Sequence, residues 1–482
     1  MVAPPSPPMA TWPLISVESL DPVPGGRYTQ IRNIPKQAAV VLWNSNGNGS
    51  APPGLRLAPC ITPDCRIRAA PRTVAGVDIN PRYVRMELLT APDGLGTPLL
   101  ALGASNSSAL HLVRCHDALC GTRGGHGGLS TLTLASSWHK VRHPDLLLQH
   151  RDTNISTATS VLVAATLCST SGCELRLFGC SLTLPPVKMT STCDDGAVIA
   201  RSAPFVVDEK TKLPTGGLED PSLAEYDLPN ASAGSVGGEG GRGVALAYWH
   251  VEARILLLTL DAARPERRHT ITVANGSSSA NFSSSPGAWV RLAQGGAAQL
   301  LVFYFDLPRG ALHLARCAPA ARACGAPALL DGGVGRGDVS DYGAGGFPEL
   351  SWPPPSYRSS GLAAGPTLIY FSDAAARNAG RGGAAAVVGE LRAIFCKDAA
   401  CSAWTRRVLA RGAAGFGRDA SLAYAERGPQ QRPALMASFL DLQGEDTPDD
   451  MVARLALFEP ESPPRARDQP EPDVHDAPTV EG

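Results

Sequence analysis

The feature that most constrains this chain is a close cysteine pair that closes one β-rich stretch after another. It recurs as APCITPDC (Cys60, Cys65), VRCHDALC (Cys115, Cys120), ARCAPAARAC (Cys317, Cys324) and IFCKDAAC (Cys396, Cys401). A fixed unit repeated along a chain means that each unit packs on the next instead of building its own core. Aligned on the start of the first strand, the units begin at Arg27, Arg82, His143, Asp220, Gly287, Phe347 and Asp419. Each continues with a short apolar run, such as AAVVLW, PLLALG, GVALAYW or PTLIYF, bounded by Gly, Pro and Ser as buried strands are. A third, alternating strand follows (GLRLAPC, ALHLVRC, ELRLFGC, ELRAIFC), then the cysteine hairpin and a fourth strand.

Seven such units predict an all-β fold, a single β-propeller of seven four-stranded blades, with six blades as the alternative because two repeats are degenerate. The last unit runs out after ARLALF and lacks a fourth strand. ATWPLISVESLDPVPGGRYT parallels AWTRRVLARGAAGFGRDAS, so the N-terminal segment is expected to complete the last blade and close the ring. The propeller then covers residues 10–459, between an N-terminal tail at 1–9 and a Pro-rich, acidic tail at 460–482, both expected to be disordered.

All twelve cysteines fall into short-range pairs: the four above, together with Cys168–Cys173 and Cys180–Cys193. Facing residues of a tight antiparallel hairpin lie within disulfide reach. A metal site would need four ligands to converge, and pairs on separate blades do not, so neither a metal nor another cofactor is expected. Complete pairing points to an oxidising compartment. Six of eleven asparagines open N-x-S/T sequons, at Asn48, Asn106, Asn154, Asn230, Asn275 and Asn281, an independent pointer to a secreted or cell-surface glycoprotein. Residues 1–20 show neither a basic n-region nor an apolar h-region, so no signal peptide is visible in this chain.

Charge narrows the partners. The 43 basic and 44 acidic residues nearly cancel, leaving no field to recruit nucleic acid or an anionic membrane, and no apolar run is long enough to span a bilayer. There is no H-E-x-x-H, G-x-S-x-G or Walker loop. The chemistry-bearing column sits at the mouth of the inner strands: Arg27, Arg82, His143, Asp220 and Asp419, with Glu349 two residues beyond Phe347. In a propeller these converge on the central channel, where arginine suits a carboxylate and carboxylates suit hydroxyls. Paired among themselves, the same residues would be structural.

Two hairpins resemble the Asp-box of sialidase-type β-propellers, S/T-x-D-x-G-x-T-W: Thr192-Cys193-Asp194-Asp195-Gly196, and Cys396-Lys397-Asp398 followed by Ser402 and Trp404. IRNIP at Ile31 to Pro35 is similar to that family's arginine-bearing first strand. The resemblance implies the propeller fold, and for an active member an arginine trio, a Tyr nucleophile with a Glu partner, and an Asp acid. Two functions therefore stand as expectations. One is a non-enzymatic binding or structural propeller for carbohydrate or extracellular-matrix ligands. The other is a sialidase-like or other glycoside hydrolase using carboxylates such as Asp220 and Asp419 at the channel mouth.

Overall fold

A computed structural model describes residues 13–20, 28–33, 39–45, 53–74, 83–90, 96–103, 109–117, 120, 128–149, 158–183, 191–206, 215–227, 242–276, 278–279, 282–283, 286–296, 299–306, 309–332, 346–354, 364–372, 388–413, 417–425, 434–442 and 451–459. Among the described residues seven antiparallel blade sheets follow one another, with a separate two-stranded sheet, Ser278–Ser279 against Phe282–Ser283, between the fourth and fifth, and the first strands of the blades pack side by side in a ring. These inner strands are Thr29–Arg32, Tyr83–Thr90, Lys140–Gln149, Leu218–Asp227, Pro286–Gln294, Gly346–Ser351 and Arg418–Ala425, the inner strands of blades 1 to 7. The fold is the seven-bladed propeller expected, and six blades is excluded.

The N-terminal strand Leu14–Ser19 is hydrogen-bonded to Met451–Phe458, the third strand of blade 7, with Leu14 opposite Phe458 and Ser19 opposite Arg454. It supplies the strand that the last repeat lacks, so no third strand is left as an open edge there.

The apolar second and third strands are buried on both faces because each blade is sandwiched between two neighbours. Among the described residues, buried side chains form a layer in each of the seven seams between blades, and the seam between blades 4 and 5 holds a second, smaller cluster around Trp249 and Phe305. One layer holds Val41 and Trp43 of blade 1 against Met436 and Leu455 of blade 7. Another holds Phe303 and Leu314 of blade 5 against Tyr370 and Ile394 of blade 6. The remaining seams are filled in the same way. Among the described residues no helix is long and apolar enough to cross a membrane.

All six disulfides pair as the spacing predicts. They use two geometries. Cys168–Cys173, Cys180–Cys193 and Cys317–Cys324 join residues directly opposite across a ladder, with Cα atoms 3.9–4.1 Å apart. In Cys60–Cys65, Cys115–Cys120 and Cys396–Cys401 the Cα separation is 4.7 Å, and the second cysteine ends a turn with positive φ. Each such turn is closed by a backbone bond from that cysteine's N–H to a carbonyl three residues earlier: Thr62, Asp117 or Asp398.

The two Asp-box-like hairpins are also closed by their aspartates. Asp194 Oδ1 accepts the N–H groups of Gly179 and Gly196, both at 3.0 Å. Asp398 accepts the Ser402 N–H at 2.9 Å and the Ser402 hydroxyl. Disulfide and side-chain hydrogen bonds thus act together on the same loops.

Candidate functional site

Five of the seven inner strands carry a β-bulge near their start. The ladder slips between Arg142 and Asp145, Glu219 and Ser222, Ala288 and Arg291, Gly346 and Glu349, and Arg418 and Ser421. Four bulges contain a non-glycine residue in the left-handed region: His143 (φ 43°), Asp220 (φ 49°), Trp289 (φ 51°) and Asp419 (φ 46°). Such backbone is costly for a side-chain-bearing residue and persists only where its surroundings hold it. A bulge also re-aims its side chains, and here it divides the inner strand into a rim residue and, two positions on, a floor residue.

The rim is an aromatic arc continued by charges. Tyr28 stands 6.0 Å from Tyr83, and Tyr83 is 4.3 Å from the His143 ring, centroid to centroid. Asp220, Trp289 and Asp419 continue the rim of a 140 Å³ mouth cavity. This corrects the alignment made on sequence. Arg27 and Arg82 lie outside the described residues, and the rim positions of blades 1 and 2 are Tyr28 and Tyr83, one residue later. In blade 5 the rim residue is Trp289, two beyond the aligned Gly287. Blades 1 and 2 run in unbroken register, so a frame set on bulged strands slips there.

His143 lies between two carboxylates, with Nδ1 3.0 Å from Asp220 Oδ1 and Nε2 2.7 Å from Glu219 Oε2. Burial alone would discharge the ring. Asp220, Tyr83 and Glu219 outweigh it and hold the imidazole well above its ordinary range, because only the imidazolium can donate to both acids. Burial likewise opposes the Asp220 charge, but His143 and the Trp289 N–H (2.8 Å) keep its carboxyl below the usual range. Glu219 also takes Arg142, whose guanidinium lies 3.7 Å from the centre of the Phe205 ring.

The floor residues, in blade order, are Gln30, Arg85, Asp145, Ser222, Arg291, Glu349 and Ser421. Four of them accept the backbone N–H that follows the floor position of the next blade. Gln30 takes Met86 N–H (2.7 Å), Asp145 takes Leu223 N–H (2.7 Å), Ser222 takes Leu292 N–H (3.0 Å) and Ser421 takes Ile31 N–H (3.2 Å). Each tie satisfies a buried donor and joins two blades.

The other three floor residues form an ionic plug. Glu349 receives Arg32 Nη2 at 2.8 Å, Arg85 Nη1 at 2.7 Å and Arg291 Nε at 3.2 Å. Arg85 Nε also lies 2.9 Å from Asp145 Oδ1. Burial would raise the Glu349 carboxyl, yet Arg85, Arg32 and Arg291 together pull it far below the usual carboxylate range. Its side chain is only 6% exposed.

Beyond the plug the channel opens into a second, larger cavity of 490 Å³ lined by Arg32, Glu87, Ser351, Trp352, Pro353 and Tyr424, among others. Burial raises the Glu87 carboxyl, and Arg32 and Arg85 offset this only in part. Its ion pair with Arg32 Nε is long, at 3.4 Å.

Of the sequence-predicted residues, the structure thus brings His143, Asp220 and Asp419 to the rim and Glu349 to the floor. Asn275 is exposed at the end of the outer strand of blade 4. Asn48, Asn106, Asn154, Asn230 and Asn281, like the tails, lie outside the described residues. Sequence reading missed the floor arginines, Arg85 and Arg291, and Arg32 just beyond them. The signal was present: each inner strand reads rim, spacer, polar residue, then Leu, Ile or Met, as in HPDL, DPSL, WVRL, PEL and DASL. Among the described residues no group of three or more His, Cys, Asp or Glu side chains is placed to hold a metal ion.

The class defined by fold and site is a disulfide-clamped seven-bladed β-propeller with an ionic plug across its channel. No family model and no curated protein matches the chain. Among solved structures, it is similar to the S. cerevisiae core factor (8% identity, TM-score 0.37, covering 96% of this chain and 62% of that one). A second similarity is to dipeptidyl peptidase 4 of Porphyromonas gingivalis (12% identity, TM-score 0.23, 74% and 56%). The chain spans less than two thirds of either. Likeness at this level carries no argument about activity.

Proposed function

We propose that this protein is a non-enzymatic binding propeller of the secretory route, a secreted or cell-surface glycoprotein that holds carbohydrate or extracellular-matrix ligands. Six disulfides suit an oxidising environment, and the exposure of Asn275, the first residue of a sequon, suits glycosylation.

The observation that carries the reading is the plug. The three arginines of the channel converge on Glu349, and Arg85 and Arg32 are further paired with Asp145 and Glu87, so each already has an acidic partner within the chain. A glycoside hydrolase needs a carboxyl held above its usual range as acid and a second carboxylate free to act as base or nucleophile. Glu349 and Asp220 are both held in the charged form by cations. Glu87 is raised, but the carboxylates acting on it, Asp145 and Glu349, are both locked to Arg85. Neither of these two locked carboxylates is free to serve Glu87 as the second catalytic group. That favours binding over the sialidase-like alternative.

The test is to incubate the glycosylated protein with a panel of oligosaccharides and matrix polysaccharides, measuring retention and, by mass spectrometry, released sugars. Saturable retention without product is expected. Product that disappears in Asp220→Asn, Asp419→Asn or Glu87→Gln would establish a hydrolase instead.

A further inference from the structure

Resting on that carbohydrate-binding reading, we propose that the ligand site is the 490 Å³ cavity beyond the plug and that its ligand is a neutral pyranoside, with Glu87 accepting ring hydroxyls and Trp352 facing the sugar ring. The mouth cavity, where the sequence-predicted residues gather, is smaller and is walled by groups already committed to one another. The far cavity falls within the roughly 300–1,000 Å³ typical of small-molecule sites.

Three features choose the ligand. The first is charge balance. Arg32, Arg85 and Arg291 face the carboxyl groups of Glu349, Asp145 and Glu87, so each guanidinium already has an acidic partner within the chain. An added ion would leave one charge uncompensated beside a largely buried network, so a neutral ligand fits best.

The second is spare acceptor capacity. A carboxyl group keeps acceptor capacity in either protonation state, up to about four hydrogen bonds when ionised. Glu87, with 29% of its side chain exposed, has only the long Arg32 contact among the described residues. A ligand that brings donors fits it, and vicinal hydroxyls match the two oxygens of one carboxylate. The third is the opposite wall, where half-buried Trp352 stands beside Pro353 and Pro354. A pyranose ring offers an apolar face for that wall and hydroxyl donors at its edge, a combination that neither a hydrocarbon nor a free ion supplies.

The experiment is calorimetric titration of the full chain with the methyl pyranosides of glucose, galactose, mannose and N-acetylglucosamine, and with cellobiose and chitobiose. The variants are Trp352→Ala, Trp352→Phe and Glu87→Gln, with Tyr28→Ala as the mouth control and thermal melting as the check on folding. Binding should weaken at least tenfold in Trp352→Ala and Glu87→Gln, less in Trp352→Phe, and be unchanged in Tyr28→Ala. Trp352→Phe keeps an aromatic side chain, so it tests the site even if Trp352→Ala fails to fold.

Binding that survives in all three far-cavity variants, or is lost only in Tyr28→Ala, would overturn the placement while leaving the carbohydrate reading intact. No binding of any probe would overturn the inference. The binding reading would then be judged by its own polysaccharide-retention assay.

Discussion

The floor of the channel is held together in two ways. Around blades 1, 3, 4 and 7, a side-chain oxygen of one blade takes a backbone N–H of the next. Across blades 2, 5 and 6, Arg85, Arg291 and Glu349 meet in the middle and are joined by Arg32. The first arrangement is local: each tie serves one seam, and its loss is felt there. The second is shared, since one carboxylate holds arginines from three blades. The same structural position thus carries a modular device where its side chain accepts the neighbouring backbone N–H, and a collective one where arginines and the acid that answers them occupy it. Arginine cannot accept that N–H, and wherever it occupies the floor an acid elsewhere must answer it.

Removing the hub should have the largest effect. Glu349→Ala leaves three mostly buried guanidinium groups facing one another and should cost about 3–5 kcal/mol, read as a lower urea midpoint. The same residue makes the plug acid-sensitive. Its folded pKa is depressed, so its stabilisation is complete above the ordinary carboxylate range near pH 4 and declines as pH falls below it. A stability–pH profile should show that decline in the wild type and a flatter acid limb in Glu349→Ala. If the two limbs run parallel, the plug does not hold the floor.

Asp145 belongs to both arrangements, accepting Leu223 N–H through Oδ2 and Arg85 through Oδ1. Asp145→Asn keeps an acceptor for the backbone and drops the charge, which isolates the ionic share. A loss of about 1.5–3 kcal/mol is expected, the range for hydrogen bonds to charged groups. Ser222→Ala removes a backbone tie alone and should cost about 1–2 kcal/mol, with Leu292 N–H left unanswered. A Ser222→Ala cost equal to that of Glu349→Ala would erase the contrast between local and shared ties.

The smallest expected effect is that of salt. Exposed ion pairs are screened within about 3 Å at 1 M ionic strength, whereas buried ones are screened much less. Raising NaCl to 1 M should therefore move the unfolding midpoint by only a few tenths of a kcal/mol. A large shift would mean that the plug is open to solvent.

Much of the fold was legible because its signals are local. A cysteine five residues from another on a hairpin has few partners to choose from, and every predicted pair is bonded. The closing strand was legible because ATWPLISVESL repeats the pattern of an outer strand already seen in blade 6. The site was less so. RYVRMEL by itself does not say that Arg85 turns inward; the rim, spacer, polar pattern shows only when all seven inner strands are aligned, and a bulge present in five blades and missing from the first two shifts that alignment. Nor can spacing reveal that Arg32, Arg85 and Arg291, more than fifty residues apart in sequence, share one carboxylate. That meeting is a property of the closed ring.

Closure also sets a schedule. The strand Leu14–Ser19 is made more than four hundred residues before its partner Met451–Phe458. Blades 1 to 6 can assemble as they are synthesised, all but blade 4 sealing a hairpin with a short-range disulfide. The N-terminal strand has to wait, unpaired, for more than four hundred residues. Contacts of that sequence separation are slow to form and leave the waiting segment open to misassembly. The ring closes only when the two ends of the propeller meet, and a chain interrupted before residue 451 would carry an orphan strand and an unlatched ring.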